Sequence, residues 1–271
     1  MAAAPRFYVE YPVCEELKPS VDCLWSSAEA PLPAGLSYPI LPDGCVDIVF
    51  RFRTRPRAPD PLGPQVSLED VWIVGPMTRA VWMAQDPTIA WMGARFKPGR
   101  AYPFLETPLG VMADLKPDAR QLLESRKVKA LGRAGEPHSI EERLRIVEAT
   151  LLGMNGGGRN IPDHVVEGVH RIRAGGGELR IDDLCSELGI SRQHLGREFV
   201  RYVGLSPKAL SRILRFRRVN RSLRGSTPPN WADLAVELGY YDQAHLIAEF
   251  SRFSGISPQR YRRLVKSQES R

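Results

Sequence analysis

The sequence predicts a two-domain α+β protein, with a mainly β N-terminal half flanked by helices and an all-α C-terminal domain built from two copies of one helical unit. Three observations carry this. One stretch is written twice: Asp183, Leu184, Glu187, Leu188 and Gly189 recur fifty residues on as Asp233, Leu234, Glu237, Leu238 and Gly239. Beyond that glycine the offset becomes fifty-one, and His194, Leu195, Glu198, Phe199, Arg201, Gly204, Ser206 and Pro207 recur as His245, Leu246, Glu249, Phe250, Arg252, Gly255, Ser257 and Pro258. A fixed period with one insertion in a turn marks a duplicated supersecondary unit. Residues 5 to 110, by contrast, hold short β-like runs broken by proline and glycine. Finally, the net charge of +7 is unevenly placed: residues 161 to 271 hold 19 Lys and Arg against 12 Asp and Glu, whereas residues 1 to 160 balance. Excess positive charge confined to one domain suits a polyanionic partner.

At 271 residues, 43% hydrophobic and 25% charged, the composition is that of a globular protein of about two domains. Met1 to Pro5 lack the basic and apolar segments of a signal peptide, and no run of eighteen apolar residues occurs, so a cytoplasmic, nucleoid-associated protein is expected. In that compartment Cys14, Cys23, Cys45 and Cys185 are expected to remain thiols.

The N-terminal domain is expected over residues 1 to 152, β-rich to about 110. Cys45 to Phe52 alternates, with Val46, Ile48, Phe50 and Phe52 on one side of a strand. Val71 to Val74, Ala80 to Ala84 and Thr88 to Phe96 read as further strands, broken by Gly75-Pro76 and Asp86-Pro87. Together they suggest a small antiparallel sandwich or barrel. Asp43-Gly44 reads as a turn and Arg53 to Pro64 as an exposed loop. Helices are expected over about 117 to 131 and 139 to 152. The second opens with a capping box, Ser139 with Glu142, and spaces Ile140, Leu144, Val147 and Leu151 as a two-heptad seam. That seam serves either packing within the domain or a homodimer through 139 to 152. Residues 153 to 160, Gly-rich, read as a linker, and Pro162 as the start of the next helix.

Residues 161 to 271 contain the repeat. In its first copy, about 182 to 203, Asp182 or Asp183 caps a short helix, Gly189 ends it and Ser191 caps the next. That second helix sets Leu195, Phe199 and Tyr202 inward and Arg192, Gln193, Gly196, Arg197 and Arg201 outward. Arg pairs bidentately with guanine and Gln with adenine, so this is the face a helix in a major groove needs, and the unit is a helix-turn-helix. For a single helix, a solvated basic face explains such a pattern equally well; two copies at a fixed offset favour recognition. Ser206-Pro207 opens a spacer helix over 207 to 224, about 27 Å long at ~1.5 Å per residue, with Leu210, Ile213, Leu214 and Leu223 on its apolar side. Its Arg212, Arg215, Arg217, Arg218, Arg221 and Arg224 either touch phosphates or form a solvated face. The second copy spans about 231 to 253.

Residues 164 to 263 resemble the DNA-binding domain of the AraC/XylS family of bacterial transcription regulators. The resemblance is carried by Ile181-Asp-Asp-Leu-Cys185, Leu188-Gly-Ile-Ser-Arg-Gln-His-Leu195, Arg197-Glu-Phe199, Gly204-Leu-Ser-Pro207, Leu238-Gly-Tyr240, His245-Leu246, Glu249-Phe250 and Gly255-Ile-Ser-Pro-Gln-Arg-Tyr-Arg262. It implies two recognition helices entering double-stranded DNA, an activator acting with RNA polymerase, and base-facing positions at Arg192, Gln193, Gly196 and Arg197, then Gln243, Ala244, Ile247 and Ala248, with Arg201 as a further DNA contact on the first helix and Arg252 on phosphates from the second. Leu41-Pro-Asp-Gly-Cys-Val-Asp-Ile-Val-Phe50 and Gly93-Ala-Arg-Phe-Lys-Pro-Gly99 are similar to a sensory-type domain found ahead of such readers. Relatives of that kind with characterised pockets use a cupin-like barrel to bind a small-molecule effector. Trp72, Trp82, Trp91 and Arg95 are the candidates to line one here, the alternative being that the tryptophans are core and Arg95 faces solvent.

No His precedes His138, which excludes a His-ligated metal in the N-terminal domain, and no metal or other cofactor is expected. Two further function classes would each need chemistry of their own. A DNA-repair-linked regulator would need a reactive or zinc-bound Cys in the N-terminal domain, but Cys14, Cys23 and Cys45 form no Cys-x-x-Cys pair. An enzyme on a DNA anchor would need a nucleophile, an acid/base pair or a phosphate loop, and none stands out, so no catalytic residue is assigned.

Overall fold

A computed structural model describes residues 9–27, 37–53, 71–84, 89–135, 139–154, 160–225, 227 and 229–269. Its β strands are β1 (Val9–Tyr11), β2 (Val21–Ser26), β3 (Ser37–Ile40), β4 (Val46–Arg53), β5 (Val71–Val74), β6 (Val81–Ala84) and β7 (Ile89–Phe96). Five form one antiparallel sheet in the order β1-β2-β7-β4-β5, while β3 pairs antiparallel with β6 in a second. The runs read as strands around 46, 71, 81 and 89 are all present. β1, β2 and β3 are additions, too short or too mixed in polarity to stand out. The expected loop from Arg53 to Pro64 begins at the last residue of β4, and residues 54–64 lie outside the described residues, as does Thr88.

The two faces of the large sheet differ chemically. Val46, Ile48 and Phe50 of β4 share a face with Met92, Ala94 and Phe96 of β7, and all are buried. Helices cover this face, and Phe96 stacks at 4.8 Å on Phe104 of α1 (Tyr102–Leu105). The opposite face carries Trp25, Asp47, Trp72, Trp91 and Arg95.

The expected helix over 117 to 131 is shorter and comes in two pieces. The Asp118 carboxylate accepts from Arg120 N–H at 2.8 Å and caps a 3₁₀ turn over Ala119–Gln121. A local side-chain acceptor of this kind competes with a continuous helix, and α2 (Ser125–Gly132) begins only afterwards. α3 (Ile140–Met154) starts as expected, with Glu142 N–H donating to Ser139 Oγ at 3.2 Å. Val147 and Leu151 of its seam are buried in the core. Gly153 and Met154 complete α3 rather than open a linker, and residues 155–159 lie outside the described residues.

The C-terminal domain contains α4 (Asp163–Ala174), α5 (Ile181–Leu188), α6 (Arg192–Val203), α7 (Pro207–Leu223), α8 (Trp231–Glu237), α9 (Gln243–Ser254) and α10 (Pro258–Glu269). Ser191, Ser206 and Asp242 cap α6, α7 and α9, each accepting a backbone N–H. Asp182 and Asp183 do not cap α5. Arg180 stands at the N-cap without a side-chain bond, and the two aspartates fill the first turn, where the helix dipole favours negative charge. Gly189 takes the left-handed conformation at the end of α5, at φ 65°, as expected.

The two domains pack together around the C-terminal end of α6. A 3₁₀ turn at Leu109–Met112 lies against it so closely that a Cβ on Gly110 would come within 2.6 Å of Val200. Tyr102 meets Tyr202 edge-on at 4.6 Å. The turn at Asp43-Gly44 is stapled by Cys45 N–H donating to Asp43 Oδ1, and Gly44 (φ 80°) abuts Leu210 of α7. Ala80 N–H donates to the Phe253 carbonyl of α9 at 2.7 Å.

Candidate nucleic-acid interface

α6 and α9 present the same geometry twice. At 100° per residue, Gln193, Arg197 and Arg201 fall on one line along α6, opposite the buried Leu195, Phe199 and Val203. Arg192 is also exposed, where it pairs with Asp182 of α5 at 3.1 Å. Gly196 lies beside the line, with open space where a Cβ would point. Adding fifty-one gives the line of α9: Ala244, Ala248 and Arg252, all exposed, with Gln243 beside them. Ile247 is half-buried and packed against the core, so it stands off that line.

The outward residues differ in how they are held. Among the described residues Arg197 has one hydrogen-bond contact, Nη2 to His194 Nδ1 at 3.0 Å, which leaves its guanidinium able to swing outward. Arg201 instead lies over the Tyr202 ring at 5.3 Å and beside Tyr102, whose hydroxyl raises its pKa. The first unit's reading line is thus free at its N-terminal half and tied to the other domain at its C-terminal end.

Three of the five arginines within α7 have internal roles, and Arg224, its C-cap, lies beside Tyr261. Arg212 Nε donates at 2.6 Å to Glu249, which is only 4% exposed, and Arg215 approaches the same carboxylate at 3.7 Å. Arg218 pairs with Glu178. Arg217 and Arg221 are exposed and available to phosphates.

The residues proposed to line an effector pocket do not converge. Trp72 and Trp91 do meet, with ring centroids 5.8 Å apart on the face of the sheet opposite Val46, Ile48 and Phe50. Trp82 sits on β6 in the other sheet, 42% exposed and beside Gly255 of the second unit. Arg95 is neither pocket charge nor free surface. Its Nε lies 3.5 Å from Asp43 and 3.3 Å from Asp47, two carboxylates that neutralise it. Burial raises the Asp47 pKa, an effect opposed by Arg95 and by the Trp25 indole donating to its carboxylate at 2.7 Å. What sequence reasoning missed is Lys116, whose ammonium lies 4.2 Å from the Trp72 ring and 4.7 Å from the Trp91 ring, with Arg51 also over Trp72. Burial and the Arg51 charge lower its pKa. Lys116 belongs to no strand, and only the fold brings it onto the sheet.

With this geometry in view, residues 184–264 match the model of a helix-turn-helix domain, and residues 9–118 match one described as a domain of unknown function (DUF6597). Over 86 residues the chain is 31% identical to the HTH-type transcriptional regulator MtrA of Neisseria gonorrhoeae, a match covering 32% of this chain and 28% of that protein. What the chain shares with that regulator is therefore the C-terminal helix-turn-helix region, less than a third of either protein. Among solved structures, ToxT from Vibrio cholerae is similar over 86% of this chain and 96% of its own, at 10% identity and a TM-score of 0.45. The xylose-binding transcription activator XylR is similar over 41% of this chain and 29% of its own, at 20% identity and a TM-score of 0.34.

Two other groups bear on chemistry. All four cysteines are free thiols. Burial pushes Cys23 up to about 12 and Cys45 well above its ordinary value, the reverse of an activated nucleophile. His164, His194 and Glu198 come together between α4 and α6. The one sequence signal for that group is the i, i+4 spacing of His194 and Glu198.

Proposed function

We propose that this protein is a sequence-specific, double-stranded-DNA-binding transcription activator of the cytoplasm, in which α6 and α9 read adjacent major grooves and the N-terminal domain controls them. The observation that carries the reading is the repeated exposed line, Gln193, Arg197 and Arg201 on α6 and Ala244, Ala248 and Arg252 on α9, in the domain that holds all the excess positive charge. Supporting residues are Arg192 and Gly196 on the first helix and Gln243 on the second, with Arg217 and Arg221 of α7 towards phosphates. Ile247 is at most an edge contact. An activator of this kind has RNA polymerase as its protein partner. The α3 seam is used within its own domain, so the reading requires no homodimer.

Control by a small-molecule effector is assigned to the sheet face at Trp72, Trp91, Lys116 and Arg51, where aromatic walls meet two cations. The Tyr102–Tyr202 and Gly110–Val200 contacts then offer a path from that domain to α6. The buried, neutral Cys23 and Cys45 argue against a repair function.

The test is fluorescence anisotropy of the full chain on DNA from its own upstream region and on a shuffled control, across a salt series. Specific binding whose log affinity falls linearly with log salt is expected. Equal affinity for both DNAs would refute the assignment.

A further inference from the structure

We propose that His164, His194 and Glu198 form a binding site for a divalent late-transition-metal ion, Zn²⁺ by preference, that clamps the first recognition helix to α4. One ligand atom from each lies within 4.8 Å of the other two. Donors ~2.1 Å from a shared tetrahedral ion stand about 3.4 Å apart, so closing the site takes side-chain rotations rather than backbone movement. Two imidazoles and a carboxylate form a three-ligand set for zinc that leaves a fourth position to water.

The backbone explains why the three meet. His194 and Glu198 are four apart on α6 and so stand one above the other. His164 lies in the first turn of α4, one turn before Gly168. A Cβ at Gly168 would come within 2.9 Å of the Phe199 ring, so only a glycine allows the helices to cross this closely. Phe199 follows Glu198, and the tight crossing therefore sets the separation of the histidine from the carboxylate.

Two observations set the cluster apart from an ordinary polar seam. First, His164 Nε2 is buried with no hydrogen-bond partner among the described residues. A buried ring nitrogen left unpaired is costly, and a metal ion would satisfy it. Second, the sequence repeat supplies an internal comparison. Glu249 stands where Glu198 does, fifty-one residues on, and there the carboxylate is held by Arg212 and Arg215. Where the second unit neutralises its glutamate with guanidinium groups, the first surrounds it with imidazoles, which can share it with a metal.

Occupancy has a consequence for Arg197, one that rests on the reading of α6 as a recognition helix. A neutral imidazole has a single acceptor nitrogen, and in His194 it is Nδ1 that receives Arg197. A metal at Nδ1 displaces the arginine directly. A metal at Nε2 leaves the proton on Nδ1 and removes the acceptor. Either way Arg197 is released from the helix surface as α6 is fixed to α4.

The experiment reads metal binding without DNA, so its outcome is separate from that of the regulator assignment. Full-length protein is stripped with chelator, dialysed and titrated with Co²⁺ and then Zn²⁺, following visible absorption and bound metal per chain. One Co²⁺ per chain is expected, with ligand-field bands but no thiolate charge-transfer band, displaced by Zn²⁺. His164→Ala and Glu198→Gln should each weaken binding at least tenfold while retaining the wild-type circular dichroism spectrum. No stoichiometric metal, a thiolate band, or variants that both bind within twofold of wild type would overturn the proposal. If His164→Ala does not fold, Glu198→Gln alone decides.

Discussion

Replacing Arg197 and Arg252 one at a time distinguishes a base reader from a phosphate anchor on equivalent helices. Arg197 is exposed and held only by its contact with His194, so Arg197→Ala should leave the fold intact. A bidentate arginine–guanine pair is worth ~1 to 3 kcal/mol of discrimination, which at about 1.4 kcal/mol per factor of ten means roughly 5- to 150-fold at one position. The effect should be confined to the operator half read by α6. Arg252 ends a line whose other members, Ala244 and Ala248, cannot donate a hydrogen bond, so α9 leans on phosphates through Arg252 and its own N-terminus at Asp242. Arg252→Ala should weaken binding evenly across sequences and lower the salt slope by about one. The assay is anisotropy on a selected operator and its single-base variants, at several salt concentrations. Sharper base preference in the half read by α9, or an Arg252→Ala effect that varies by base, would refute this division of labour.

Glu249→Gln should destabilise the protein by about 2 to 3 kcal/mol in urea unfolding, because a nearly buried carboxylate is lost from Arg212 and Arg215, which recover part of that in water; a change under ~0.5 kcal/mol would contradict the packing described. Gly110→Val puts a side chain where Val200 stands, and overpacking of ~1 to 3 kcal/mol should loosen the domain contact, read as earlier cleavage between the domains in limited proteolysis. A fragment of residues 161 to 271 should bind every operator that the full chain binds, since both recognition helices lie within it; failure to bind any would place part of the reader elsewhere. Lengthening Gly156 to Gly158 by a few glycines should leave operator affinity unchanged, and a large loss would show that the domains require a fixed connection.

The C-terminal domain was legible in the sequence because its signals are local and doubled. Ser191, Ser206 and Asp242 cap the helices they precede, and Gly189 and Gly204 turn the chain where the repeat has them turn. Where local logic failed, a second local option had won, as when Asp118 capped a 3₁₀ turn within an expected helix. The effector constellation failed for a different reason. Trp72, Trp82, Trp91 and Arg95 were grouped by residue type, whereas sheet register decides who meets whom. Pairing of β4 with β5 and β7 brings Trp72 and Trp91 to one face, and pairing with β3 removes Trp82 to another sheet. Arg95 is drawn to Asp43 and Asp47, contacts 48 or more residues away along the chain that no periodicity records. His164 is thirty residues from His194 and was likewise out of reach of any local pattern.

These placements make α6 the one element on which three influences meet. Its N-terminal half offers Gln193 and Arg197 outward, its flank carries His194 and Glu198 towards α4, and its C-terminal end is gripped through Val200, Tyr202 and Arg201 by the N-terminal domain. α9 is coupled differently, by the Ala80 bond to Phe253 and by a buried carboxylate shared with α7. A movement of the N-terminal domain that released Tyr102 would free Arg201 and the C-terminal end of α6, while Glu249 kept α9 fixed on α7. Tyr102→Phe isolates that step, since it removes the hydroxyl beside Arg201 and leaves the ring against Tyr202. Operator affinity in the α6 half should then change with little loss of stability, because one polar contact of this kind is worth only about 1 kcal/mol. If the variant shifted affinity equally in both halves, the two units would be controlled together and the unequal coupling read from these contacts would be wrong.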